Sequence, residues 1–349
     1  MVWRAVILSA TAAAAAFAPV SPAAVERMYS SRVYPALQQL VTTASNAVPM
    51  ALFDVLIAIV VLGWLALAAA DVFRRGLPRA LARIALRTVT LAAATYLVFL
   101  ALWGLNYRRV PLGEKLQFSA GGVTPKAARL VAVAAVDRLN GLHADAHAAG
   151  WAEQGVIDPG LNDGFVSVQR DIGAAAAAVP GRPKHTVFDL YFRLAGVEGM
   201  TDPFFLETLV ASDLLPFERP LVVAHEWAHL AGLADESEAN FVGALACLRG
   251  PVPVQYSAWL FLLSQIAAGL PAPDRRGVMQ SLGDGPRRDL AAIAARNARN
   301  ISPRVASAGW RVYDRYLKAN RVEAGVTSYA QVVRLMLGTE LGRRTTAAP

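Results

Sequence analysis

Two apolar runs do most to limit the folds open to this chain of 349 residues. Ala51 to Ala70 is interrupted only by Asp54, and Ile84 to Leu105 carries Arg87 near its entrance and Trp103 at its exit, where interfacial aromatics belong. Each run is close to the roughly 20 residues a helix needs to cross a bilayer. The composition agrees: 55% hydrophobic residues and a mean hydropathy of +0.38 are too apolar for an ordinary soluble enzyme. A further run, Val2 to Val20, ends in small residues that resemble a signal-cleavage region. We read it as an uncleaved span, which gives residues 1–106 about three transmembrane helices. Val25 to Asn46 has mixed polarity and reads as a short helix outside the bilayer.

Charge sets the expected orientation. Arg74, Arg75, Arg79, Arg83 and Arg87 lie in or beside the connection at 71–87, whereas only Arg27 and Arg32 precede Ala51. Cytoplasmic loops carry the arginine excess, so this connection is expected in the cytoplasm and everything after Asn106 outside it. Arg108 and Arg109 oppose this orientation but are fewer. The expectation is a multi-pass protein of the inner membrane, with residues 107–349 extracytoplasmic.

From Tyr107 onward the pattern is that of a globular, mainly α domain with a small β element. Thr124-Pro125 starts a helix that runs to about His147. Ala174 to Ala178 reads as helical, and Thr186 to Phe192 alternates partly like a strand. Phe204 to Val210 reads as a strand, either an edge along which an extended peptide can pair or a strand of the core. Gln255 to Leu270, bounded by Pro253 and Pro271, is short for a crossing and reads as a buried helix. The single cysteine, Cys247, excludes an internal disulfide and any cysteine-rich zinc site. A net charge of +8, with arginines recurring from Arg275 to Arg321, raises nucleic acid as a partner. No nucleic-acid motif accompanies it, and a solvated surface or contact with anionic membrane lipid explains the charge better.

The chemistry concentrates in His225-Glu226-Trp227-Ala228-His229. Residues four apart share a helix face, so both imidazoles can point at one cation. Glu226 then lies beside the site, where a carboxylate can take a proton from metal-activated water. Pro220 suits a first helical turn and Gly232 reads as a stop. Three carboxylates compete for the third ligand position. Asp235 falls where a metzincin-like spacing would put one. Glu236 has Asn240 one turn on, and shares its face with Gly243, Ala244 and Cys247, small enough for two helices to approach closely. Glu238 faces Phe241, Val242 and Leu245 instead. The order of expectation is Glu236, Glu238, Asp235, with Asn240 as a supporting polar residue. Tyr256 is a candidate oxyanion stabiliser as well as a candidate packing residue. His143 and His147 are also four apart, without a glutamate between them; they could assist a metal, but two polar residues at a helix end is the better reading, and His185 reads as a lone loop histidine.

The run from His225 to Phe241, H-E-W-A-H-L-A-G-L-A-D-E-S-E-A-N-F, resembles the signature of an uncharacterised bacterial membrane family, catalogued as domain of unknown function 3810. Trp103 to Arg109, Tyr256-Ser257, and Tyr316 to Asn320 continuing through Gly325 to Tyr329 are similar as well. The resemblance implies a zincin-like domain and carries over to His225, Glu226, His229, Glu236 and Glu238. Asp235 stands where that family usually has arginine. It supplies no substrate. The expectation is a membrane-anchored zinc-dependent peptidase holding Zn²⁺ through His225, His229 and Glu236. Glu226 would be the catalytic base, acting on a peptide or protein of the envelope. The alternative is a non-catalytic membrane protein in which zinc fixes two helices as an interaction module.

Overall fold

The structure, a computed structural model, describes residues 2–320 and 331–346; the Gly325–Tyr329 stretch lies outside them. Helix α1 (Val2–Phe17) packs along a later apolar helix. At Ser21, whose side chain accepts from Ala24 N, the chain bends by 110° into Pro22–Asn46. That segment passes through a π-helical stretch, Glu26–Val33, before α2 (Tyr34–Asn46). Helices α3 (Leu52–Arg75) and α4 (Leu77–Leu102) are long and apolar enough to cross a membrane. α1 meets the same test only when joined to Pro22–Asn46 as one bent pair. α3 runs beyond its apolar stretch because Asp71 is buried among Arg75, Arg83 and Arg87, at 3.2, 3.2 and 2.5 Å. The exposed Ile59, Leu62 and Leu65 are the kind of face that lipid covers.

α5 (Pro125–Ala149), capped by Thr124, and α6 (Pro159–Asp171), capped by Asp158, open the second part of the chain. Three very short strands follow: β1 (Pro183–Lys184), then β2 (Gly199–Thr201) after α7 (Asp189–Ala195), then β3 (Thr208–Val210). β3 is central, parallel to β1 and antiparallel to β2. The expected strand over 204–210 is therefore shorter and belongs to the core. Asp202 accepts from Phe204 N and Phe205 N at 3.0 and 2.7 Å, which makes their segment a turn. The strand expected at 186–192 is largely helix α7, whose buried residues Phe192 and Ala195 are three apart. Ala174–Ala178 is not helical either. Gly173 at φ 70° ends the preceding turn, and Ala178 N donates to Gln169 Oε1 at 2.7 Å.

The remaining helices to matter are α8 (Arg219–Leu230), α9 (Glu236–Leu248), α10 (Val252–Gly269), α11 (Asp284–Asn300) and α12 (Pro303–Ala319). α10 is the buried helix its bounding prolines predict, and Cys247 on α9 is fully buried. One cluster of buried side chains runs from Val25 to Met336, so parts of residues 1–106 share a core with the rest. Polar contacts fasten the two. Tyr34 of α2 donates to Leu230 O at 2.9 Å, closing on the end of α8, and Thr42 donates to Leu206 O at 3.0 Å. The carboxylate of Glu207 accepts from Leu52 N and Phe53 N, both at 3.0 Å, and pairs with buried Lys184 at 2.6 Å. Asp54 accepts from Thr186 Oγ1 and Val187 N. The acidic interruption in the first apolar run is thus an anchor between α3 and the loop after β1.

Candidate metal centre

α8 presents His225 and His229 on one face, and α9 crosses it closely enough to bring Glu236 between them. The close approach depends on Gly243: a Cβ there would sit 2.9 Å from His225 N, with backbone on that side that cannot yield. The chain passes from α8 to α9 through Gly232 at φ 81°, and Asp235 caps α9 by accepting from Ser237 N at 2.9 Å and Glu238 N at 3.2 Å. His225 Nε2 and His229 Nε2 are 3.1 Å apart, and Glu236 Oε2 lies 3.2 and 3.5 Å from them.

These spacings test whether a metal fits. Ligand atoms about 2.1 Å from a tetrahedral zinc stand about 3.4 Å from one another, close to all three edges observed. His229 Nδ1 approaches Leu233 O at 2.7 Å, so the neutral ring donates there and leaves Nε2 as a bare acceptor facing its neighbours. Glu236 Oε2 is buried without an aligned hydrogen bond among the described residues, despite its short distances to both imidazoles. One ligand atom from each of the three side chains lies within 4.8 Å of the others. The donor set fits a zinc-class ion. His225 Nδ1, by contrast, is buried with no hydrogen-bond partner among the described residues.

Electrostatics agree. Burial would lower the His229 pKa, but Glu236, Glu226 and the bond to Leu233 O together push the ring up to about 9. Burial would raise Glu236, and the facing imidazoles instead hold it well below the carboxylate range. The ion-free cluster therefore retains positive charge on imidazole next to a carboxylate, charge that a cation would replace. A second contact fixes Glu236: Tyr313 of α12 donates its hydroxyl to Oε1.

Glu226 is almost fully buried and turns its carboxylate towards β2, where Thr201 Oγ1 donates to Oε2 at 2.8 Å. Gly199 makes room for it, since a Cβ there would lie 2.5 Å from Oε1. Burial raises its pKa against the pull of His225, His229 and the Thr201 bond.

The other candidates go elsewhere. Asp235 is the helix cap. Glu238 accepts from Leu112 N, and burial pushes its carboxyl up to about 7. Asn240 is buried one turn after Glu236. Tyr256 donates to Asp289 Oδ2 at 2.6 Å, in a cluster with His143 and His147, so its hydroxyl is committed away from Glu236. His185 bridges Val210 O and Gln154 at the side of a small pocket of about 40 Å³. Trp103 is not an interfacial aromatic: it is buried, its indole N–H donates to His229 O at 3.1 Å, and its ring meets His229 edge-on. Tyr313, Thr201 and Gly199 were not singled out by sequence. Tyr313 lies one turn before the Tyr316–Asn320 stretch, and its ring stacks on Tyr316.

Fold and site define a mostly helical protein with two helices of membrane-crossing length and a buried cluster of two histidines and one glutamate. The sequence matches the profile of the family described as protein of unknown function (DUF3810) over residues 29–337, and the chain belongs to that family. No curated protein and no solved structure matches it.

Proposed function

We propose that this protein is a membrane-anchored zinc-dependent peptidase with a zincin-like domain outside the cytoplasm, cleaving peptide or protein substrates of the envelope. The convergence of His225, His229 and Glu236, with Glu226 beside them, carries the reading. His225 Nε2, His229 Nε2 and Glu236 would hold Zn²⁺. When bound, such an ion lowers the pKa of water towards about 7 and polarises a carbonyl. Glu226 is not in the ligand set, and a structural site has no use for a buried carboxylate next to it. Its carboxylate, steadied by Thr201, would accept the proton of the attacking water and return it to the leaving amine. Tyr313 would keep Glu236 turned towards the imidazoles.

β2 supports a peptide substrate. Asp202 N donates to Glu207 O, and Ala211 N donates to Glu198 O, both at 3.0 Å, on either side of the Met200–Leu209 pair. Alternation along an antiparallel ladder then turns the backbone groups of Gly199 and Thr201 to the outer edge, beside Glu226. An extended chain can add to such an edge.

Zinc measured on purified full-length protein tests the assignment. His225→Ala with His229→Ala is expected to remove about one equivalent per chain. Zinc content unchanged by the pair sinks it.

A further inference from the structure

A second set of metal-ligating side chains, sharing no residue with the first, comes together from two helices. His143 and His147, one turn apart on α5, both approach Oδ2 of Asp289 on α11 through Nε2, at 3.5 and 2.8 Å. One donor atom from each of the three lies within 4.8 Å of the others. Tyr256 of α10 donates its hydroxyl to the same carboxylate, as an outer residue does when it orients a ligand. Gly285 lets α11 come close to the His143 ring: a Cβ there would fall 2.5 Å from it, so any side chain at that position would displace the ring. Trp151 stands edge-on to His147 at 5.0 Å between ring centroids, walling the apolar side. His143 and His147 keep 23% and 38% of their side-chain exposure, enough for an ion to arrive from solvent.

We propose that His143, His147 and Asp289 form a second, structural site for a zinc-class divalent ion, clamping α5 to α11. Two imidazoles and one carboxylate are donors that suit zinc, whereas calcium and magnesium take oxygen ligands. α11 also carries Arg296, which pairs with Glu198 at 2.7 Å and Glu218 at 2.9 Å, the residues just before β2 and α8. An ion on Asp289 would therefore steady the helix that braces the starts of β2 and of α8, the helix that carries Glu226.

Full-length protein, stripped by chelator and titrated with Zn²⁺, is expected to take up about two equivalents per chain. The His225→Ala/His229→Ala chain should retain about one, and adding His143→Gln should remove it. The proposal is overturned if the His225→Ala/His229→Ala chain binds no zinc, or if its equivalent survives His143→Gln together with His147→Gln. Should that chain not fold, His143→Gln/His147→Gln in the otherwise native protein decides the matter. A loss of about one equivalent supports the site, and an undiminished zinc content overturns it.

Discussion

Four carboxylates within thirteen residues do four different jobs. Glu226 leans on Thr201, Asp235 caps a helix, Glu236 faces two imidazoles and Glu238 holds Leu112 N. Substitution should separate them. On the proposed reading, Glu236→Gln removes a charged ligand and is expected to weaken zinc binding, whereas Glu238→Gln should leave zinc content unchanged; equal losses in the two would refute the division of roles. Tyr313→Phe deletes the hydroxyl that holds Glu236, and loss of such an outer contact typically costs about 10–100-fold in metal affinity. A competition titration against a chelator measures it, and wild-type affinity would remove Tyr313 from the site. His225, Glu226 and His229 were legible in the sequence because helical spacing alone puts them together. Glu236 was legible because small residues mark the face it shares. Tyr313 and Thr201 reach the same place through tertiary docking, which local pattern does not encode.

At the level of elements, the α8–α9 contact is the one the site depends on most. Gly243→Ala sets a methyl against the backbone at His225. Overpacking of this kind costs about 1–3 kcal/mol, and here it should also pull Glu236 away from the imidazoles. Thermal melts and zinc titration of the variant are expected to fall together; an unchanged zinc affinity would show that the helices have slack. The Lys184–Glu207 pair is a second element-scale anchor, since Glu207 also receives the first two amides of α3. Lys184→Met leaves that carboxylate buried without its cation, a change that typically costs about 3–5 kcal/mol. Unfolding of Lys184→Met should be markedly easier, and adding Glu207→Gln should recover part of the loss. Long helices such as α5, α8 and α10 were readable from caps, prolines and periodicity. The 186–192 segment misled because its alternation is brief, and Asp54 and Ser212 at distant positions fix its conformation. Ala174–Ala178 misled because helix propensity is a weak guide where glutamine side chains of α2 hold the backbone.

On the scale of the whole molecule, the apolar hairpin α3–α4 carries its arginines at one end, and Trp103 at the other end donates to His229 of the candidate metal centre. Fusions should report this: a reporter active only in the cytoplasm is expected to work near Arg79 and to be silent after Leu337, and the reverse pattern would put the metal centre in the cytoplasm. The long apolar hairpin was plain from composition. The shared core was not, because the buried hydrogen bonds of Tyr34 and Thr42 look like ordinary polar positions in an amphipathic helix until α8 and the β3 approach lie beneath them. The central claim is that Glu226 performs hydrolysis at a zinc held by its neighbours. The most direct test compares the protein termini of the cell envelope, by mass spectrometry, in cells carrying the native chain, Glu226→Gln or His225→Ala. General-base contributions run to about 10²–10⁴-fold, so one set of cleavage-derived termini should vanish in both variants, while Glu226→Gln protein keeps its zinc. If Glu226→Gln cells match the native pattern and His225→Ala cells are defective, zinc matters but hydrolysis does not, and the peptidase account is contradicted.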